Sequence, residues 1–553
     1  MRFARIAFGL LLALVGLLVT LAGAVAAFWL VGPDNTLATG SKPLASRGLA
    51  VMTAPDLLDR HGPTLHVTAA AAKPVFVGVG QDIDVASYLG TSEYTRVVRL
   101  NPPSDLDTQE MKGDVAALTP PGGLDWWIVK AGGSGEQSVA WPIADGRYDV
   151  VVMNADGSPG VDARVVLGVE LEGAFATCLL VLGIGMVLLV GGLLLMFLRK
   201  RKTPAPPAPV IPSPMPYTPP ALQGSGRVRR VATAGTAVTS LLLVATGCVA
   251  VPEKNAGSQA MTRPAVALAD GQAVVKRYNE VNNQANQARN AKLSETIEGG
   301  TTLAQTRAGY RINSKLDAAG KNKTKPFTYT DPQIGAPEFA AYPMRFVAFS
   351  GVSDDPESRQ LGVWQRQSAG TPWVLTNSVY PLATTKVPPV DDLRVPTKAD
   401  MAKLPILPQT AGNDLAAYLT GGAKSSKAAL FVPSPRTVML LSQRAKSKVD
   451  AVKADYISTV TDTFRLSGDP VTFITSTGEA LVFLSLTEQY LQTIEPGHNA
   501  YFTSGPETAF SSMVKYTQTL HQNYLYQAAL VIPPTGKPRI LSLDGQLVSA
   551  GGS

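Results

Sequence analysis

Cys248 closes the run LLLVATGC and is one of only two cysteines in 553 residues. Acylation of a thiol by diacylglycerol, followed by cleavage on its N-terminal side, needs an apolar stretch to present it, small residues before it and positive charge upstream. Arg227, Arg229 and Arg230 supply the charge, Val231 to Gly247 the stretch, and Thr246 and Gly247 the small residues, while Ala245 stands where a bulkier residue is usual. Eighteen residues separate Arg230 from Cys248. At 1.5 Å per residue a helix carries the thiol about 27 Å, to the outer edge of a ~30 Å hydrocarbon core. Cys248 is the candidate lipidation site; the competing reading is a third membrane span with an incidental cysteine.

The other groups able to do chemistry are scattered. His61, His66, His498 and His521 never cluster, and Cys178 lies in an apolar run, so a structural zinc site or an internal disulfide is not expected. Asp469 in SGDPVTF reads as a buried acid or a strand-edge turn. His498 falls in the loop EPGHNA, and His521 is expected on an amphipathic helix with Tyr524 and Tyr526. NADGSPG, Asn154 to Gly160, has paired oxygens but lacks the later acidic ligands of a calcium loop, so a turn is the better reading. Trp126, Trp127 and Trp141 would stack on carbohydrate if exposed and fill a small core if buried. No catalytic residue, cofactor site or metal site is assigned.

What must position these groups is membrane. Residues 6–30 and 173–198 are charge-free up to Leu198 and long enough to cross a bilayer as helices, and residues 231–251 form a weaker third span or an internal export signal. The net charge of +7 is explained by the flanks. Arg2 and Arg5, Arg199 to Lys202, and Arg227, Arg229 and Arg230 are nine positive charges, which leaves 40 Lys and Arg against 42 Asp and Glu elsewhere. The basicity therefore does not indicate nucleic acid. By the positive-inside rule all three clusters are cytoplasmic. The N-terminus is then inside, residues 31–172 outside, the basic, Pro-rich linker 199–230 inside, and everything beyond 251 outside.

Gly9, Ala13, Gly16, Thr20, Gly23 and Ala27 recur at alternating spacings of four and three, a small-residue face on which a second helix can approach closely. The second apolar run, with Gly185 and Gly192, is one partner; another copy of the first helix would serve equally. Residues 31–172 read as an all-β, sandwich-like domain, with SVAWPI, YDVVVMN and VDARVVLGVEL as strands joined by tight hairpins at Asp145-Gly146 and Asp156-Gly157. After a tether at 252–264, helical text is followed by antiparallel strands twice, predicting α+β domains at 265–395 and 405–553. Val274, Val275, Tyr278, Val281, Ala285 and Ala288 mark the buried face of the first helix.

The helix AVVKRYNEVNNQAN and the strands GVWQRQ and TPWVL resemble the cone-shaped α+β fold of the nuclear-transport-factor and polyketide-cyclase-like superfamily, in two copies over roughly 265–553. That likeness implies cones, hosts enzymes, ligand binders and interaction modules alike, and transfers no activity. The arrangement as a whole, with VVVMNADGSPGV ahead of a membrane span, resembles uncharacterised envelope proteins of high-GC Gram-positive bacteria, and its second half resembles their stand-alone lipoproteins.

The sequence therefore predicts a multi-domain, multi-pass membrane protein of the cell envelope, with one all-β and two α+β exterior domains and no evident catalysis. Its expected partners are the lipid bilayer and another envelope protein or a wall component, with an oligomer possible through the first helix. The rival is a cone pocket that binds or converts a small apolar ligand: an enclosed cavity lined by polar groups favours it, and cones plugged by Trp364, Trp373 and Phe483 sink it. An accessory role in transport or secretion is weakest, since no charge lies within a span.

Overall fold

A computed structural model describes residues 2–38, 40–55, 57–58, 63–101, 105–197, 262–321 and 324–553. The linker 199–230, the third apolar run 231–251 with Cys248, and most of the tether lie outside the described residues, as does His61. The rest forms two compact units: one holds the described parts of 1–82 and 91–197, the other 83–90 and 262–553.

In the first unit, helices spanning Phe3–Val31 and Ala174–Phe197 are long and apolar enough to cross a membrane. Between them lie two sheets. One joins Thr36–Ala38, Val161–Glu170, Thr64–Ala71 and Gln137–Pro142 in that order, with Lys42–Ser46 also on Val161–Glu170. The other runs Asp105–Met111, Tyr94–Asn101, Ala50–Thr53, Tyr148–Asn154, Val75–Gln81 and Val129–Gly133. The strands at 137–142, 148–154 and 161–170 are present, but successive ones belong to different sheets. The segments at Asp145-Gly146 and Asp156-Gly157 are thus arches from sheet to sheet, not hairpins. Their glycines still take positive φ, +142° and +76°. The chain changes sheets because YDVVVMN is buried at every position and belongs in the middle of a sheet, whereas Gln137–Pro142 buries only alternate residues at an edge. Inside this unit Asp149 is fully buried; desolvation, reinforced by repulsion from Asp82, pushes its carboxyl up to about 8 against the pull of Arg96 and Arg147.

The second unit has four layers. Tyr329–Gly335, Met344–Val352, Arg359–Arg366 and Val374–Val379 form an antiparallel sheet, and Ile457–Leu466, Ala480–Ile494, Thr519–Ile532 and Arg539–Gly552 a longer one, with Val471–Ile474 added to Ala480–Ile494. The sheets pack face to face. Val347, Leu361, Val363 and Val379 of one meet Phe473, Leu481, Phe483, Ala529 and Val531 of the other in a single core. Helices cover the outer faces: Leu268–Ala288 lies on the first sheet and Pro408–Gly421 on the second. That is why ALVFL, residues 480–484, is buried on both faces. Local signals set the helix starts: the Ser434 side chain accepts from Thr437 N ahead of Pro435, and Thr397 and Asp400 form a reciprocal capping box. Asp84 also belongs to this unit, where it accepts from Arg263 Nη2 at 2.5 Å and from the Tyr342 hydroxyl at 2.8 Å.

Candidate functional site

Of the residues singled out by spacing, the small-residue face is the one the structure brings together. Gly9, Ala13, Gly16, Gly23 and Ala27 are buried and Thr20 is half-buried. A Cβ added at Gly9 would lie 2.8 Å from Met196 Cγ and 2.9 Å from the Gly192 carbonyl. One at Gly23 would lie 2.6 Å from Leu182 N, and one at Gly16 would collide with Leu189 N. The fit is reciprocal, since Gly192 lies against Ala13 and Gly185 against Thr20. Within the chain this face is therefore covered by the helix Ala174–Phe197, which packs backbone against backbone.

Trp127 and Trp141, with Trp126 beside them, serve the core of the first unit, whereas Trp29 of the apolar helix is exposed. Trp141 is buried, 4.8 Å from the Tyr148 ring; Trp127 is buried between Phe76 and the half-buried Trp126. NADGSPG is a turn: Asn154 Nδ2 donates to the carbonyls of Ser158, Pro159 and Gly160, and Asp156 accepts from Ser158 N. His66 Nε2 lies 2.9 Å from Glu170 Oε2, a pairing the sequence did not suggest. His521 sits on the strand Thr519–Ile532, not on a helix. Every residue from Tyr526 to Ile532 is buried, which a strand covered on both faces of its sheet achieves and an amphipathic helix does not, and this decides for the strand.

The interiors of both halves of the second unit are filled. In the first, Trp364 is 1% exposed, stacks on Phe346 at 5.3 Å, and is joined by Trp373 and Tyr278. In the second, Leu415, Phe464, Leu484 and Tyr526 occupy the helix-facing side, while Phe483 lies between the two sheets. Each interior also holds a carboxylate that sequence reading passed over. The Tyr278 hydroxyl donates to Glu298 Oε1 at 2.9 Å, and burial pushes the Glu298 carboxyl up to about 7. Arg444 Nε and Nη2 engage the Glu488 oxygens at 2.5 and 2.6 Å, Nη2 also meets the Tyr526 hydroxyl at 3.1 Å, and the guanidinium lies 4.5 Å above the Tyr524 ring. Burial raises the Glu488 carboxyl, with Arg444 opposing and Asp462 adding to the rise; Asp462 is itself 3.2 Å from Lys448 Nζ. Glu298 lies inside a packed core, whereas Glu488 and Tyr524 border a small opening of about 250 Å³ together with Thr463, Arg465 and Asn523.

Further open space in the second unit includes a polar cleft of about 290 Å³. Asn286 comes from the helix Leu268–Ala288; Gln305, Thr306, Gly309, Tyr310 and Asn313 from the helix Gly300–Leu316; Ser378 and Tyr380 from the end of the first sheet; and Asp544, Gly545 and Gln546 from the last strand. Gln305 is fixed at both ends of its amide, donating to the Leu525 carbonyl at 2.9 Å and accepting from Gln527 Nε2 at 2.6 Å. Asp544 accepts from Ser542 Oγ and Tyr380 N, and burial raises its carboxyl. Among the described residues no group of three or more His, Cys, Asp or Glu is placed to hold a metal ion.

Comparison with known proteins adds lineage. An uncharacterised lipoprotein of Streptomyces avermitilis is 28% identical over 283 residues, covering 50% of this chain and 81% of the relative. A second, from Streptomyces coelicolor, is 23% identical over 332 residues, 59% of this chain and 96% of the relative. No solved structure matches, and the likeness to the cone-shaped superfamily gains no support from these comparisons. Residues 262–552, essentially the whole second unit, match the family described as "Domain of unknown function (DUF8094)", and the chain belongs to that family.

Proposed function

We propose that this is a cell-envelope protein whose second unit is an extracytoplasmic, non-catalytic binding module held at the outer face of the membrane. The reading includes three membrane-directed segments, a cytoplasmic N-terminus and a cytoplasmic Pro-rich linker. The observation that carries it is the extent of the match to the Streptomyces coelicolor lipoprotein. A share of 59% of 553 residues is about 326, and any continuous stretch of that length in this chain contains residues 228–326. The aligned region thus takes in Cys248 and almost the whole of the run before it, while using 96% of a protein named as a lipoprotein. This supports an export and lipidation signal in mid-chain, where a Pro-rich loop has brought the chain back to the cytoplasmic side.

The filled interiors support binding over catalysis. Read as tandem cones, both halves are plugged by their own side chains, and the buried Glu298 and Glu488 are held by Tyr278 and Arg444. Expression with tags at both ends, with and without Cys248→Ser, tests the anchoring. Processing at Cys248 gives a lipid-bearing C-terminal fragment of about 32 kDa, taking 306 of 553 residues of a 58.2 kDa chain, and Cys248→Ser abolishes it. A single full-length, unlipidated band refutes lipidation.

A further inference from the structure

We propose that the polar cleft beside the helix Gly300–Leu316 binds a small, neutral, polyhydroxylated molecule, a sugar or polyol; this rests on the reading of the second unit as a binding module. Gly309 points to it first. A glycine within a helix costs about 1 kcal/mol relative to alanine, and a close backbone neighbour usually explains its presence. No atom lies within 4 Å of a Cβ added at Gly309, and the residue lines the cleft. Packing does not require the glycine. What it does is leave the cleft open.

The walls select the ligand class. Amide side chains of Asn313 and Gln546 offer donors and acceptors, the Asp544 carboxylate offers an acceptor, and the rings of Tyr310 and Tyr380 offer apolar faces for C–H groups. Asp544 is the only formally charged residue in the lining, and it faces Arg436 at 3.7 Å. An anion would meet this carboxylate without a lining cation to offset it, and a divalent cation would find a single carboxylate. The volume suits one sugar-sized ring and is at the low end for ligand pockets. The walls are also set in place beforehand. Gln305 is fixed as described, the Tyr310 hydroxyl donates to Asn286 Oδ1 at 2.7 Å, and the Tyr380 hydroxyl lies 2.7 Å from that of Tyr329. Such preorganisation lowers the entropic cost of binding.

The test uses the full chain in detergent and saturation-transfer NMR with three probes, glucose, N-acetylglucosamine and myo-inositol, alongside inorganic phosphate and magnesium. At least one polyol is expected to bind saturably. Gly309→Leu, which fills the cleft, should weaken that binding at least about tenfold while leaving the melting temperature equal or higher, because leucine favours the helix. Asn313→Leu, at the exposed rim, provides a second variant that leaves the core untouched. Absence of polyol binding up to about 50 mM, tighter binding of phosphate or magnesium, or polyol binding unchanged in both variants overturns the proposal. Those failures leave lipidation at Cys248 and the outside location intact, since both are measured without any ligand.

Discussion

The Tyr278 hydroxyl donates to Glu298 Oε1 over 2.9 Å in an interior where Tyr278 is 4% and Glu298 3% exposed. Burial dominates this carboxyl and pushes it from 4.5 to about 7. Between those values the folded chain holds a proton that the unfolded chain has lost, so stability falls as pH rises from about 4.5 to about 7. A change of that size is worth on the order of 3 kcal/mol at most. Glu298→Gln should therefore be more stable than the native chain at pH 8 and show a shallower decline between pH 5 and 7. Urea denaturation across that range, followed by tryptophan fluorescence, checks it; parallel curves for the two proteins would contradict the assignment.

Arg444 and Glu488 make the opposite case, a buried pair whose members need each other. Arg444→Met leaves Glu488 buried without its cation and should cost about 3–5 kcal/mol, whereas the double change Arg444→Met with Glu488→Gln should recover a large part of that loss. Chemical denaturation of the four proteins in a double-mutant cycle gives the coupling. Additive losses would mean that the pair acts as two independent groups.

Gly16 packs against Leu189 and Gly185 with no space for a side chain. Gly16→Leu should force the two apolar helices apart and destabilise their association by roughly 1–3 kcal/mol. Leu17→Ala, one position along on an exposed face, should have little effect. Thermal unfolding of the full chain in detergent, followed by helical circular dichroism, reports the association. Identical unfolding curves with and without Gly16→Leu would argue against the close contact.

The parts of this fold that were legible were those written in short-range periodicity. The stripe from Gly9 to Ala27 could be read because its members fall on one helical face, and Val275, Tyr278 and Ala285 stood out in the same way. Asn282 lies on that same face and is 3% exposed, but its polarity hid it. The Asp145-Gly146 and Asp156-Gly157 turns were legible as turns, yet a turn residue does not say which sheet receives the next strand. The shared core of Val347 and Phe483 was the least visible, because it joins residues more than a hundred apart in sequence; the two-sided burial implied by ALVFL was the available clue. The cleft was not legible at all. Gln305, Tyr380 and Asp544 come from distant elements, and only Gly309, an isolated glycine inside a helical pattern, offered a signal.

The central claim is that the second unit lies outside the cytoplasmic membrane, and a single cysteine tests it most directly. Asp354 is exposed in a turn of that unit. Asp354→Cys, introduced with Cys178→Ala and Cys248→Ser, should react with a membrane-impermeant maleimide in intact cells as fully as after permeabilisation. Labelling that appears only once the membrane is opened would put the second unit in the cytoplasm and contradict the account.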